Sequence, residues 1–535
     1  MTVDLLQDLN EPQREAVTHV DGPLLVLAGA GSGKTRVITH RVAWLIQQGA
    51  SPHNVLAITF TNKAADEMRS RARALGAAGG ATLCTFHALC ARLLREFATE
   101  AAISTSYTIY DADDQIRLVK EAVAGLYTHG SRFSPRAIRA AISRAKDDLK
   151  TPAALAGEVG TDYMKTAAEV YREYEKLLAA NNALDFDDLL LRVAFLLRDH
   201  DEIRRRLSDR YRYVLIDEYQ DTNRAQYIIA HSIVGEQGNI CATGDPDQSI
   251  YAWRGADINN IMEFEQDYPS ALVIRLEENY RSTKAILAAA SKLISRNTFR
   301  KEKALWTRRE GGGDVHVLHC DNAHSEAGEV VSRIARLHAL GRKYGDVAVF
   351  YRLNSLSRLL EEALLQAGIP YRVARGVEFY NRKEIKDALA YLRLMANPDD
   401  SLSCRRIINV PARGIGARTV KRLAAFTEAR GRSLLDACGA AADAGLSAAA
   451  AKKVRAFAGL IDDLGGGLDR PVREIVEEVI NRTGLEDMLR EGGEETRQAL
   501  ANVGELINSA AEFDARNEGG TLGDYLRQVS LVSDV

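Results

Sequence analysis

Two segments of this chain carry residues that do chemistry together. AGAGSGKT (Ala28–Thr35) packs three glycines, a lysine and a hydroxyl into one turn. Such a turn, placed before a helix, offers closely spaced backbone N–H groups where anions are favoured. Lys34 then neutralises the β- and γ-phosphates of a nucleotide, and the Thr35 hydroxyl coordinates Mg2+. VLIDEYQD (Val214–Asp221) ends an apolar run in two adjacent carboxylates. Asp217 can hold the magnesium, directly or through water, and Glu218 can polarise an attacking water. The pattern points to nucleotide hydrolysis. Two bland readings compete: a glycine-rich turn can be purely structural, and paired acids are common at exposed strand ends. The strict GxxxxGK[ST] pattern is also missed, because Ala28 stands where its first glycine belongs.

A third segment, GDPDQSIYAWRGA (Gly244–Ala256), follows another apolar run. Gln248 is neutral and carries both a donor and an acceptor, which suits a γ-phosphate sensor. Tyr251, Trp253 and Arg254 lie a few residues on. Base stacking on aromatics is worth roughly 1–3 kcal/mol per base and tolerates any sequence. One short segment can thus touch ATP and a nucleic acid. The competing reading makes Tyr251 and Trp253 core aromatics.

The elements that must position these residues alternate between strand and helix patterns. Leu24–Ala28, Val55–Phe60, Thr82–Phe86, Tyr213–Asp217, Asn239–Thr243 and Ala271–Leu276 read as strands. Helical spacing lies between them, which predicts a parallel sheet with helical crossovers. From about His87 to Ser208 apolar residues recur at three- and four-residue spacing, and no strand is expected. Val315–His319, Val347–Tyr351 and Tyr371–Ala374 are strand candidates of a second, smaller sheet; from about Glu384 onward the pattern is helical.

Bulk properties set the frame. At 535 residues several domains are expected. Contents of 46% hydrophobic and 27% charged residues are ordinary for a globular protein. A net charge of -3 argues against a uniformly basic nucleic-acid coat but leaves room for a local basic groove. The six cysteines show no metal spacing and read as free thiols of a reducing compartment. No apolar run approaches the roughly 18–20 residues of a membrane span, and the first residues lack signal-peptide character. A soluble, cytoplasmic protein without membrane contact is expected.

The ordered motifs LNEPQREAV (9–17), AGAGSGKT, ITFTNKAADEM (58–68), TFHALCARLLR (85–95), LDFDDLL (184–190), VLIDEYQDTN, GDPDQSIYAWRGA and LEENYRS (276–282) resemble superfamily 1A DNA helicases of the UvrD/Rep/PcrA type. The alanine at position 28 is usual in that family. The resemblance implies an α/β fold with two RecA-like parallel-sheet core domains, each interrupted by a mainly helical insertion. The expected first core domain spans 1–90 and 208–276, with its insertion at 91–207. The second, partial core spans 277–378, with its insertion at 379–535.

The resemblance also implies roles for matched positions. Gln13 would read the adenine edge and Tyr280 would stack on the base. Ala30, Gly31, Ser32, Gly33, Lys34, Thr35 and Arg36 would line the phosphates. Arg281 looks like an arginine finger supplied by the second core domain. Phe60, Thr61, Asn62, His87, Phe186, Tyr251, Trp253 and Arg254 resemble single-strand contacts, although Phe60 and Phe186 sit in apolar segments and could be core. YRLNSLSR (351–358) resembles a further DNA-facing segment through Asn354. PARGIGARTV (411–420) resembles a hairpin contact with duplex. There Gly414, Ile415 and Gly416, placed before a helix, could expose backbone N–H groups to a phosphate without reading sequence.

The resemblance thus implies an ATP- and Mg2+-dependent helicase or translocase. It would move 3′ to 5′ on single-stranded DNA, engage single-strand/duplex junctions, and unwind duplex in repair or replication. Family members continue through a segment with an HxAKGLEF-like pattern and another rich in arginine. Neither occurs in these residues, so an incomplete helicase chain is expected. Rival readings are a DNA-binding ATP switch that does not unwind, the motor part of a recombination helicase–nuclease and, more weakly, a small-molecule kinase.

Overall fold

The computed structural model describes residues 4–533 apart from 78, 128–130, 159, 354–355, 374–377, 431 and 492–496. Two compact units are found. The larger comprises Met1–Ser282, Ile294–Arg308 and Val377–Val535; the smaller comprises Thr283–Leu293 and Arg309–Gly376.

The larger unit carries the strands β1 (Leu24–Ala28), β2 (Val55–Thr59), β3 (Thr82–Thr85), β4 (Thr108–Tyr110), β5 (Ala183–Asp185), β6 (Tyr213–Ile216), β7 (Ile240–Gly244) and β8 (Leu272–Leu276). Six of them form one sheet in the order β3-β2-β6-β7-β1-β8, with every pairing parallel. All five residues of β1, LLVLA, are buried, as a central strand covered on both faces requires. Helices Lys34–Gln47 and Asn62–Ala74 cover one face through Val37, Ile38, Val42 and Met68. Helices Phe86–Glu96, Phe186–Asp199 and Arg224–Val234 cover the other through Leu89, Leu93, Val193 and Ile229. In such sheets ligands bind beyond the carboxyl ends of the strands. The AGAGSGKT loop, Asp217 and the Gly244–Ala256 segment all leave those ends, from β1, β6 and β7.

The segment between β3 and β6 is helical around a core of Tyr110, Leu118, Ile138, Tyr171 and Tyr174. It departs from expectation in one respect: β4 and β5 pair in parallel there. Each has only three residues, too few to display a strand period. Below this pair the fully buried Lys146 ammonium meets Asp185 at 2.8 Å, Asp188 at 2.6 Å and Glu175 at 2.8 Å. Asp185 also caps helix Phe186–Asp199, with its reciprocal partner Asp188. From Lys383 onward helices pack around Leu392, Val454, Phe457, Val479 and Leu506.

The smaller unit corrects another expectation. The described residues of 315–319, 347–351 and 371–374 form no strand. Val317 is 95% exposed and Phe350 93%. A buried parallel strand needs hydrogen-bonded neighbours and helices on both faces. The core of this unit is instead a small cluster of Ile334, Leu364 and Ile369 between helices Ala323–Ala339 and Ser357–Gln366. Among the described residues no helix is long and apolar enough to cross a membrane.

Candidate nucleotide site and nucleic-acid groove

The phosphate loop owes its shape to three glycines. Gly31 and Gly33 have φ of +72° and +95°, where a side chain is strained. Neighbours also exclude a Cβ: at Gly31 it would lie 2.6 Å from Arg281 Cβ, and at Gly33 2.8 Å from Gln13 Nε2. Ser32, nearly fully buried, donates to the Gly29 carbonyl at 2.7 Å and tightens the turn. Gly33 then caps helix Lys34–Gln47. The first turn of that helix presents Lys34, Thr35 and Arg36.

β7 alone separates β1 from β6 in the sheet, so the loop and the acidic strand end face each other. Lys34 Nζ lies 2.6 Å from Glu218 Oε2. Thr35 Oγ1 donates to Asp217 Oδ2 at 3.2 Å. A hydroxyl and a carboxylate oxygen that converge in this way are the hard oxygen donors Mg2+ takes. Asp217 accepts further hydrogen bonds from Thr243 Oγ1 at 2.9 Å and from the Glu218 N–H at 3.1 Å. Burial, reinforced by the charge of Glu218, pushes its carboxyl up to about 6, against the pull of Lys34. Asp221 is pushed to about 6 by burial and then Glu218. Glu218 is held at φ +54°, a left-handed conformation that a non-glycine residue keeps only when its surroundings over-determine it.

Gln220 was missed in the sequence. It is 1% exposed, and its amide nitrogen donates to Glu218 at 2.9 Å and Asp221 at 3.1 Å. Its amide oxygen accepts from the Asp245 N–H at 3.0 Å. It therefore ties the acidic strand end to the segment bearing Gln248, whose own amide donates to Asp245. Thr243, also missed, is the other anchor of Asp217. Gln220 is signalled in the sequence only by its place two residues after Glu218, and Thr243 only by its place near the end of β7.

Gln13 stands beside the loop, but its amide is engaged. Nε2 donates to the Ser32 carbonyl at 2.9 Å, and Oε1 accepts from the Asn10 N–H at 3.1 Å in a capping box. Tyr280 is near: its N–H donates to the Gly31 carbonyl at 2.9 Å, and Asn10 Nδ2 donates to its hydroxyl at 2.9 Å. The Ala30 carbonyl accepts from Asn279. Arg36 is 3.8 Å from Asp8. Arg281, expected from a second core domain, stands in the larger unit, exposed beside Gly31.

The aromatics form a second site. Phe60 and Tyr251 ring centroids are 4.8 Å apart, and Tyr251 and Trp253 are 6.5 Å apart. The Arg254 guanidinium lies 4.9 Å over the Trp253 ring, which is 68% exposed. These residues, with Asn62, His87, Phe186, Arg139 and Arg144, line a cavity of about 650 Å³. Trp253 is therefore no core aromatic. Phe186 is: it is buried at 4% exposure, edge-on to His87 at 5.7 Å. Burial, with Arg254 nearby, pulls the His87 imidazole down to about 4. Thr61 caps helix Asn62–Ala74, and Asn62 Nδ2 donates to the Leu531 carbonyl at 2.9 Å.

Asn354 falls outside the described residues. Gly414–Gly416 sits in the C-terminal helical body before helix Ala417–Arg430. There Ile415 is buried, and its N–H already donates to Asn409 Oδ1 at 3.0 Å, so this N–H is not exposed as expected. Asn409 outcompetes solvent because it also takes the Arg413 N–H at 2.9 Å.

The family described as the UvrD/REP helicase N-terminal domain matches residues 9–269, and the UvrD-like helicase C-terminal domain matches 274–442. The ATP-dependent DNA helicase PcrA of Bacillus subtilis is 42% identical over 537 residues, covering 99% of this chain and 73% of that protein. The PcrA of Staphylococcus aureus strain Mu50 is 42% identical, covering 99% of this chain and 74% of its own. With a phosphate loop facing a paired-acid strand end and an aromatic groove alongside, the chain belongs to the UvrD/REP helicase family, of the PcrA-like superfamily 1A type.

Proposed function

We propose that this chain is an ATP-dependent DNA motor that moves 3′ to 5′ along single-stranded DNA and opens duplex at single-strand/duplex junctions, in repair or replication. The observation that carries the reading is the segment Gly244–Ala256. Its first half ties into the acidic strand end through Asp245 and Gln220. Its second half supplies Tyr251, Trp253 and Arg254 to the groove. A change at the phosphates therefore reaches the bases through about five residues of backbone.

In this reading Lys34 and the loop N–H groups hold the β- and γ-phosphates, Gln13 and Tyr280 flank the adenine, and Arg281 and Arg36 add positive charge. Thr35 and Asp217 hold Mg2+, which when bound supplies a Lewis acid to the phosphate oxygens. Glu218 orients water and accepts its proton. To do so it must leave Lys34, which the phosphates then claim. Phe60, Asn62, His87, Tyr251, Trp253 and Arg254 grip the strand by stacking and charge, and Gly414 and Gly416, without Ile415, meet duplex phosphates. The six free cysteines suit a cytoplasmic protein.

The test is strand separation with duplexes bearing a 3′ or a 5′ single-stranded tail, with and without ATP. ATP-dependent opening of the 3′-tailed duplex is expected. DNA-stimulated ATP turnover without strand separation on either duplex would replace the motor with a DNA-binding switch.

A further inference from the structure

Lys303 belongs to RKEKALWT (300–307), a stretch to which no motif assigned a role. Its side chain is 3% exposed. The ammonium meets Asp245 Oδ1, and Asp247 Oδ2 at 2.7 Å. Arg300 closes the cluster, with Nε 3.1 Å and Nη2 2.8 Å from the two Asp247 oxygens. Two cations thus balance two carboxylates beside the nucleotide site. The stretch is anchored further on: the Trp306 N–H donates to the Glu277 carbonyl at 3.0 Å, and the Trp306 carbonyl accepts from the Asn279 N–H at 2.7 Å.

The division of labour on Asp245 is informative. Oδ1 takes the Lys303 ammonium and the Asp247 N–H, while Oδ2 takes the Gln248 amide. A carboxylate accepts only, so an ionised Asp245 holds the N–H end of that amide and leaves its carbonyl oxygen and second N–H for a ligand. Without the Lys303 ammonium, Asp245 Oδ1 would lose its cationic partner and the carboxylate would no longer be pinned in one orientation. The Gln248 amide that Oδ2 holds would then lose its fixed orientation.

We propose that Lys303 is a positioning residue for nucleotide recognition: by holding Asp245 Oδ1 it fixes the carboxylate whose Oδ2 sets the Gln248 amide that distinguishes a nucleoside triphosphate from a diphosphate. This rests on the ATP-binding reading above.

The test is equilibrium titration of the full 535-residue chain with magnesium ATPγS and magnesium ADP. Lys303→Met is expected to lower the preference for ATPγS over ADP about tenfold, near the worth of one charge-assisted hydrogen bond. Gln248→Ala should lower it equally, and the double variant should lose no more than either. Lys303→Arg should restore most of the preference. A folded Lys303→Met with unchanged preference overturns the proposal, and so do losses that multiply in the double variant. If Lys303→Met does not melt cooperatively, Asp245→Asn/Lys303→Met, which removes both buried charges together, decides. It should show the same loss, and an unchanged preference overturns the proposal. A wild-type chain that binds neither nucleotide overturns the ATP reading itself; one that binds both equally overturns only the role given to Gln248 and Lys303.

Discussion

The nucleotide site and the aromatic groove are built from opposite states of readiness. In the first, polar and charged groups already have partners within the protein: Lys34 on Glu218, Thr35 on Asp217, Gln248 on Asp245. A ligand there must exchange one set of contacts for another, so binding and rearrangement are one event. In the second, Trp253 stands 68% exposed with Arg254 over its ring. A base has little to displace and gains stacking at once. In the function proposed above, this difference would give the switch to the ions and the grip to the aromatics.

Removing Lys34 would break the switch most severely. Lys34→Ala is expected to cut DNA-stimulated ATP turnover by about 10²–10³-fold, as loss of one preorganised charge on a reacting group does. Glu218 is 31% exposed and tolerates losing its partner, so the variant should melt near wild type. Steady-state turnover and a melting curve, read together, check this. The grip should break more gently. Trp253→Ala is expected to weaken single-strand binding by about 1–3 kcal/mol while ATP affinity in the absence of DNA stays unchanged. Fluorescence anisotropy with an oligothymidine, beside nucleotide titration, separates the two; a joint loss would mean the sites are not distinct.

The two regions were also unequally legible. LLVLA announces β1 because a strand buried on both faces must be apolar throughout. Glycines before Lys34 announce the loop because only they fit its positive φ and close neighbours. The three-residue strands TIY and ALD are too short to show a period. Val315–His319 misleads in the other direction: VHVLH, with valines two apart, reads as a strand, yet burial is decided by partners the segment itself does not contain. The Gln13 position was legible and its engagement was not, since the hydrogen bond to the Ser32 carbonyl joins residues nineteen positions apart. Gln220 shows the same limit, as its role exists only where the ends of β6 and β7 meet.

A smaller effect tests whether the ion site carries strain of its own. The Asp217 carboxyl is raised to about 6 by burial and by Glu218, above the ordinary carboxylate value near 4. An acid raised on folding holds its proton more tightly in the native state. Its favourable contribution is therefore present below pH about 4 and disappears as pH climbs through about 6. Asp217→Asn is expected to raise the melting temperature by about 2–4 °C at pH 8 and to leave it unchanged near pH 4. Melting curves across that range check the sign.

The smallest effect belongs to the groove and concerns a group that should stay silent. His87 is pulled down to about 4 by burial and Arg254, so the folded imidazole is neutral across the range in which an ordinary histidine titrates. A lowered histidine stabilises the fold above its unfolded value near 6.5 and loses that contribution as pH falls toward 4. Single-strand affinity in wild type and His87→Gln is therefore expected to follow the same pH dependence between about pH 5.5 and 8. A histidine-shaped inflection present in wild type and absent from the variant would mean that the imidazole charges on contact with DNA phosphate. The groove would then share the rearranging character that the comparison reserves for the nucleotide site.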